Sequence, residues 1–151
     1  MKTFRCIALA LLLFVPLACQ KDAPVDTSGV DPIAKEILDA VAQGNVQGVY
    51  DAYFTPEYKQ SESPEKWKEI AEGYRQMFGN VVSVKRLRGQ ARWIGDQFIE
   101  GQVVYNVTWD KGVGEVTFDV TEEGGWKVRQ MRIDSPQIDE RLNALTTQSV
   151  K

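Results

Sequence analysis

The chain has 151 residues, 18 Lys and Arg against 21 Asp and Glu, and a formal net charge of −3. Bulk attraction to nucleic acid or anionic lipid is therefore not expected. With no histidine and only two cysteines, it lacks the residues for a His/Cys zinc site and for Ser-His-Asp or Cys-His nucleophiles. Carboxylate-only chemistry remains open; no cofactor is expected, and no loop has the ligand spacing of a calcium site.

The first eighteen residues read as an export signal. Lys2 and Arg5 form a basic start, and Ile7 to Val15 is an uncharged apolar run. At roughly nine residues it is too short to span a bilayer, which takes about 20. Pro16-Leu17-Ala18 then leads into Cys19, the small-residue end of a signal peptide, and residues 1–18 are set aside from the fold. Once they are removed, Cys19 is the single remaining cysteine and the net charge becomes −5. A lone thiol cannot close an intrachain disulfide in an oxidising compartment.

Leu17-Ala18-Cys19 resembles the lipobox of bacterial lipoproteins, with Pro16 standing where that family carries leucine. The resemblance implies acylation of Cys19 and attachment to a membrane of the bacterial cell envelope. Gln20, rather than Asp, after the cysteine implies the outer membrane, with the domain facing the periplasm. The alternative is an ordinary signal cleaved after Ala18, which releases a free protein.

Residues 19–30 hold the lipidated cysteine and a polar stretch with Asp, Pro, Ser, Thr and Gly, read as a flexible tether. The domain is expected over residues 31–135. Asp31-Pro32, Ser63-Pro64 and Ser135-Pro136 each place a capping side chain before a proline, a helix-start signature. The first helix is predicted over Pro32 to Gln43, with Ile33, Ile37, Leu38 and Val41 on one face and Gly44 as its stop. Asn45 is expected to cap a short second helix that folds back on the first. A third helix is predicted over Pro64 to Phe78, where Trp67, Ile70, Ala71, Tyr74 and Met77 recur at helical spacing.

After Gly79 the period changes from 3.6 to 2. Val81 to Gly89 reads as a strand, with Gln90 to Ile94 either continuing it or pairing as a second one. Phe98 to Trp109 is the clearest strand; Ile99, Val103, Tyr105, Val107 and Trp109 share a face, and Gly101 among them suggests a bulge or a sharp bend. Val113 to Thr121 and Trp126 to Ile133 complete a meander that tight turns force to be antiparallel. Residues 136–151 read as a weak helix and a polar tail. The fold class is thus α+β, with N-terminal helices packed on a curved antiparallel meander.

The stretch from Ala34 to Phe54, AKEILDAVAQGNVQGVYDAYF, and the closing Gly-Gly-Trp-Lys-Val at Gly124 to Val128 resemble the nuclear transport factor two-like, cystatin-like superfamily. The resemblance implies a cone-like sheet with helices in its hollow. The superfamily includes isomerases, dehydratases, secretion scaffolds and many bacterial lipoproteins. No motif maps its catalytic residues onto this chain, so none is carried over.

Two uses of the aromatic residues stay open. Tyr50, Tyr53, Trp67, Tyr74, Tyr105 and Trp109 either line a pocket in the cone or simply fill it. Arg86 and Arg88, two apart in a strand, are expected to share a face, as a basic stripe or paired with Glu100, Glu115 and Asp119. The expected role is non-catalytic binding of an envelope protein or component, or of a small apolar ligand, by a membrane-anchored domain. The alternatives are an isomerase- or dehydratase-like enzyme with a buried carboxylate, and a subunit of an envelope or secretion assembly.

Overall fold

The computed structural model describes residues 24–95 and 98–140. The signal segment, Cys19 and the tail from residue 141 lie outside the described residues. Four helices precede four strands: α1 (Val30–Gln43), α2 (Gln47–Tyr53), α3 (Pro56–Ser61) and α4 (Pro64–Phe78), then β1 (Val81–Ile94), β2 (Phe98–Trp109), β3 (Gly112–Glu122) and β4 (Trp126–Asp134). The strands form one curved antiparallel sheet in the order β1-β2-β3-β4. It is an α+β fold with its helices on one face of the sheet. No described helix is long and apolar enough to cross a membrane.

The α4 boundaries follow the sequence signals. The Ser63 side chain accepts from the Lys66 amide, Pro64 occupies the first turn, and Gly79 ends the helix at a φ of 76°. The same logic produces α3, a helix not expected from the sequence. Its N-cap Thr55 accepts from the Tyr58 amide, with Pro56 in the first turn, so Thr55-Pro56 is a fourth copy of the cap-proline signature. Between α1 and α2, Gly44 takes a left-handed φ of 72° and its amide bonds back to the last turn, as a C-cap glycine does. Asn45 is not the cap of α2: Val46 stands there, with no side-chain bond.

The start of α1 departs further from expectation. Its N-cap is Gly29, and Asp31 lies in the first turn instead of capping it. Packed structure also begins earlier than residue 31, because Thr27 and Val30 are buried at 3% and 0% exposure. The expected tether therefore loses its last four residues to the domain. Asp26 organises this approach by accepting from both the amide and the hydroxyl of Ser28 at 2.8 Å, a local turn in which a carboxylate satisfies nearby donors.

β1 is one continuous strand paired along its length with β2, and residues 90–94 stay in the same ladder. Its register slips between Val81 and Ser83 and between Arg86 and Arg88. The second slip makes Leu87 a bulge, and one extra residue reverses the alternation of faces. Arg86 consequently lies opposite Tyr105 on the inner face, whereas Arg88 lies opposite Val104 on the outer one. The two arginines do not share a face.

Gly101 is no bulge either; it pairs regularly with Ala91 and Val120. Its role is close approach. A Cβ there would sit 2.7 Å from both the Ala91 Cβ and the Gln90 carbonyl oxygen. Glycine is needed here because any side chain would force the strands apart.

Both ends of the sheet are tied to the helices. Phe54 forms a parallel bridge with Val128, and the Thr55 amide donates to the Val128 carbonyl at 3.0 Å, so this segment covers the β4 edge. At the other end Asp110 accepts from the Asn80 amide and side chain at 3.1 and 3.0 Å, joining the end of α4 to the β2–β3 turn.

Gly101→Ala is expected to destabilise the fold by about 1–3 kcal/mol, since backbone must shift to admit the methyl group. Gly73→Ala, in α4 with open space around its Cα, is expected to stabilise it by about 0.5–1 kcal/mol. Urea midpoints at constant m-value measure both.

Candidate functional site

The hollow of the sheet is filled. Trp67, Phe54, Phe78 and Phe118 are all under 2% exposed, and their rings interlock with neighbours. Phe54 lies 5.1 Å from Trp67 and 4.7 Å from Tyr58 between ring centroids, and Tyr58 meets Trp67 edge-on. A second group stacks Phe78 on Trp109 at 4.6 Å, with Tyr74 beside Phe78 at 6.2 Å. Tyr105 meets Phe118 edge-on at 5.9 Å. Such contacts add to the burial of large apolar area.

The six aromatic residues singled out from the sequence are therefore distributed and do not ring a single chamber. Tyr50 and Trp67 join the Phe54 group, Tyr74 and Trp109 join the Phe78 group, and Tyr105 lies on β2 under α1. The Tyr50 hydroxyl donates to the Glu62 carbonyl at 2.7 Å, closing the α3–α4 link over the first group. Tyr53 is turned outward, with its hydroxyl donating to Glu36 at 2.6 Å. The indole N–H of Trp67 is buried without a hydrogen-bond partner among the described residues.

The mouth of the hollow is crossed by the segment that leads into α1. Thr27 rests on β1, where its carbonyl accepts from Arg86 Nη1 at 3.1 Å and its hydroxyl accepts from Arg86 Nη2. Two residues later, Gly29 abuts the Trp126 ring closely enough that a Cβ would meet it at 2.8 Å. Asp31 fastens this strap: one carboxylate oxygen accepts from both Arg86 Nη1 and the Tyr105 hydroxyl, each at 2.6 Å. Burial, the bond to Asp31 and the charge of that carboxylate hold the Tyr105 hydroxyl well above its ordinary pKa. It thus stays a protonated donor through the physiological range.

This arrangement suits fastening better than proton transfer. A carboxylate base needs a free lone pair facing an enclosed substrate space. Asp31 has an arginine and a tyrosine on the same oxygen, and it stands half-exposed at the rim. No described group of three His, Cys, Asp or Glu side chains could hold a metal ion.

Open space lies on the outer surface. A groove of about 700 Å³ runs between α3 and the outer face of the sheet, with Tyr58, Phe98, Thr121 and Lys127 along it. A second, of about 490 Å³, continues towards β1 past Gln90, Arg92 and Gln102. Glu100, Asp119 and Arg129 line both. The groove charges are matched: Arg129 pairs with Glu100, Arg132 with Asp119 at 3.4 Å, and Gln102 donates to Asp119 at 2.9 Å. Of the pairings expected for Arg86 and Arg88, Arg88 reaches Glu115 at 4.0 Å, while Arg86 pairs with Asp31 instead. What sequence reading missed is the wall: α3 converts a flat patch of ion pairs into a groove. The signal that could have found it is Thr55-Pro56.

Asp31→Ala is expected to cost about 1–3 kcal/mol, because it leaves Arg86 and the buried Tyr105 hydroxyl without their acceptor. Stability is also expected to fall as pH rises above about 10. Unfolded tyrosine releases its proton near there, whereas folded Tyr105 holds it longer, so the unfolded state binds fewer protons and gains. Tyr58, pushed up to about 12 chiefly by burial, acts in the same direction. Urea titrations at several alkaline pH values should show a shallower fall for Tyr105→Phe than for the parent chain.

Compared with known proteins, the chain matches no family model, no curated protein and no solved structure.

Proposed function

We propose that this chain is an exported lipoprotein of a bacterial cell envelope, held by acylated Cys19 at the periplasmic face of the outer membrane. Its domain is of the nuclear transport factor two-like, cystatin-like type, and it grips an envelope protein through its outer surface. The observation that carries the binding role is the filled and strapped hollow. With Trp67, Phe54, Phe78 and Phe118 occupying the cone and Asp31 pinned across its mouth, the groove beneath α3 is the larger recess available to a partner. Helices seated in a curved antiparallel sheet support the superfamily reading. The order of basic start, apolar run, small residue and cysteine supports the anchor.

Substituting Cys19→Ala is expected to abolish metabolic labelling with palmitate and move the protein from the membrane to the soluble fraction. Persistence of labelled, membrane-bound protein in that variant overturns the anchor. For the grip, native purification followed by mass spectrometry should recover an envelope protein in stoichiometric amount. Arg129→Glu should reduce that recovery at least tenfold, as loss of one partner of a charge pair at an interface does. Recovery of a small apolar molecule in place of a protein overturns the surface-binding reading.

A further inference from the structure

The free edge of the sheet differs from the rest of the surface. The β4 edge is covered by Phe54 and Thr55, while among the described residues β1 pairs only with β2. Val82, Leu87 and Trp93, three of the four exposed large apolar residues among those described, lie on this strand at 66%, 43% and 45% exposure. Its charged residues are all basic: Lys85, Arg86, Arg88 and Arg92. Arg86 is turned inward to Asp31. Lys85, Arg88 and Arg92 lie opposite Asn106, Val104 and Glu100, so they share the outer face and form a row along the edge.

The strand is badly suited to accepting another strand. Two bulges interrupt its ladder at Val82 and Leu87, and bulges and basic side chains are the devices that discourage edge-to-edge pairing. A second copy laid antiparallel would also bring the two basic rows together. Exposed apolar side chains along an edge that carries lysine and arginine on its outer face, with Trp93 flanking the same edge from the inner side opposite Ile99, suit a bilayer surface instead. There the rings and aliphatic groups reach the headgroup boundary, and the cations meet lipid phosphates.

Chain geometry puts that edge near the lipid. Thr27 is bonded to Arg86 on β1. It lies eight positions after Cys19, a reach of at most about 28 Å. We infer that the β1 edge docks on anionic phospholipid headgroups, with Leu87 and Trp93 at the interface and Lys85, Arg88 and Arg92 against phosphate. The inference rests on Cys19 being the lipid anchor.

The test uses the full acylated chain reconstituted in vesicles of phosphatidylcholine with or without phosphatidylglycerol, both carrying brominated acyl chains. Bromine quenching should be strong only with phosphatidylglycerol and should vanish in Trp93→Phe, leaving the emission of the other tryptophans. The triple change Lys85→Glu, Arg88→Glu, Arg92→Glu should weaken docking by about fivefold or more per charge, with near-UV circular dichroism unchanged. Equal quenching in both vesicles, or none in chains that remain bound, overturns the docking surface while the anchor stands. A chain that fails to stay on either vesicle overturns the anchor itself. A photocrosslinker at position 87 in whole envelopes should label lipid; a polypeptide adduct there overturns the proposal in favour of a protein partner.

Discussion

The fold depends on filling the hollow of a four-stranded sheet from one side. A curved sheet of this size leaves a concavity that its own inner face fills only in part, with Val103, Val107, Val116 and Val120 beside Tyr105, Trp109 and Phe118. The helices therefore supply the bulk. Trp67 from α4 and Phe54 from the end of α2 occupy one part of the hollow, and Phe78 with Trp109 occupies another. Because interiors are packed like organic crystals, volume taken by these rings is volume denied to a ligand. Gly101 contributes from the other side. It lets β1 and β2 approach closely at Ala91.

A single bulged residue decides what happens at the rim. Without the slip at Leu87, Arg86 would stand with Arg88 on the outer face, where β3 offers carboxylates such as Glu115. With it, Arg86 points inward and meets Asp31, Thr27 and the neighbourhood of Tyr105. The guanidinium fork can satisfy a carboxylate and a carbonyl at once, so one side chain joins the approach segment, α1 and β1. The same inversion leaves β1 with an outward row of cations and an outward leucine. Core fastening and edge chemistry thus share one backbone irregularity.

The legible parts of this fold were those governed by local rules. Period and caps placed α4, β2 and the meander to within a residue or two, since cap-proline pairs and alternating valines act over a few positions. The departures have non-local causes. Asp31 looked like a helix cap because proline follows it, yet an arginine 55 residues away claims its carboxylate. Gly101 looked like a bulge because it interrupts an apolar face, but the reason for glycine is a partner strand's Cβ. The true bulge at Leu87 has no glycine or proline to mark it. Thr55-Pro56 was readable and carries the same cap logic as Ser63-Pro64. As for the site, aromatic spacing identified residues that are buried, but spacing alone cannot separate a lined chamber from a filled one. That difference depends on side chains from three helices meeting across the sheet.

The strap also changes what the N-terminal linker does. Had the domain begun at Asp31, it would lie twelve positions after Cys19, a reach of about 42 Å, and a domain anchored there as proposed would be free to tumble with any face towards the membrane. Burial of Thr27 and Val30 brings the first buried residue to eight positions after Cys19. It also moves the attachment point onto the middle of β1. A domain of this length has a radius of gyration near 13 Å, so a leash of about 28 Å is comparable with the domain's own diameter. Such a leash confines an anchored domain to a thin layer and raises the effective concentration of whatever surface lies nearest the attachment point. That surface is the β1 edge. Even weak contacts there are then sampled continuously.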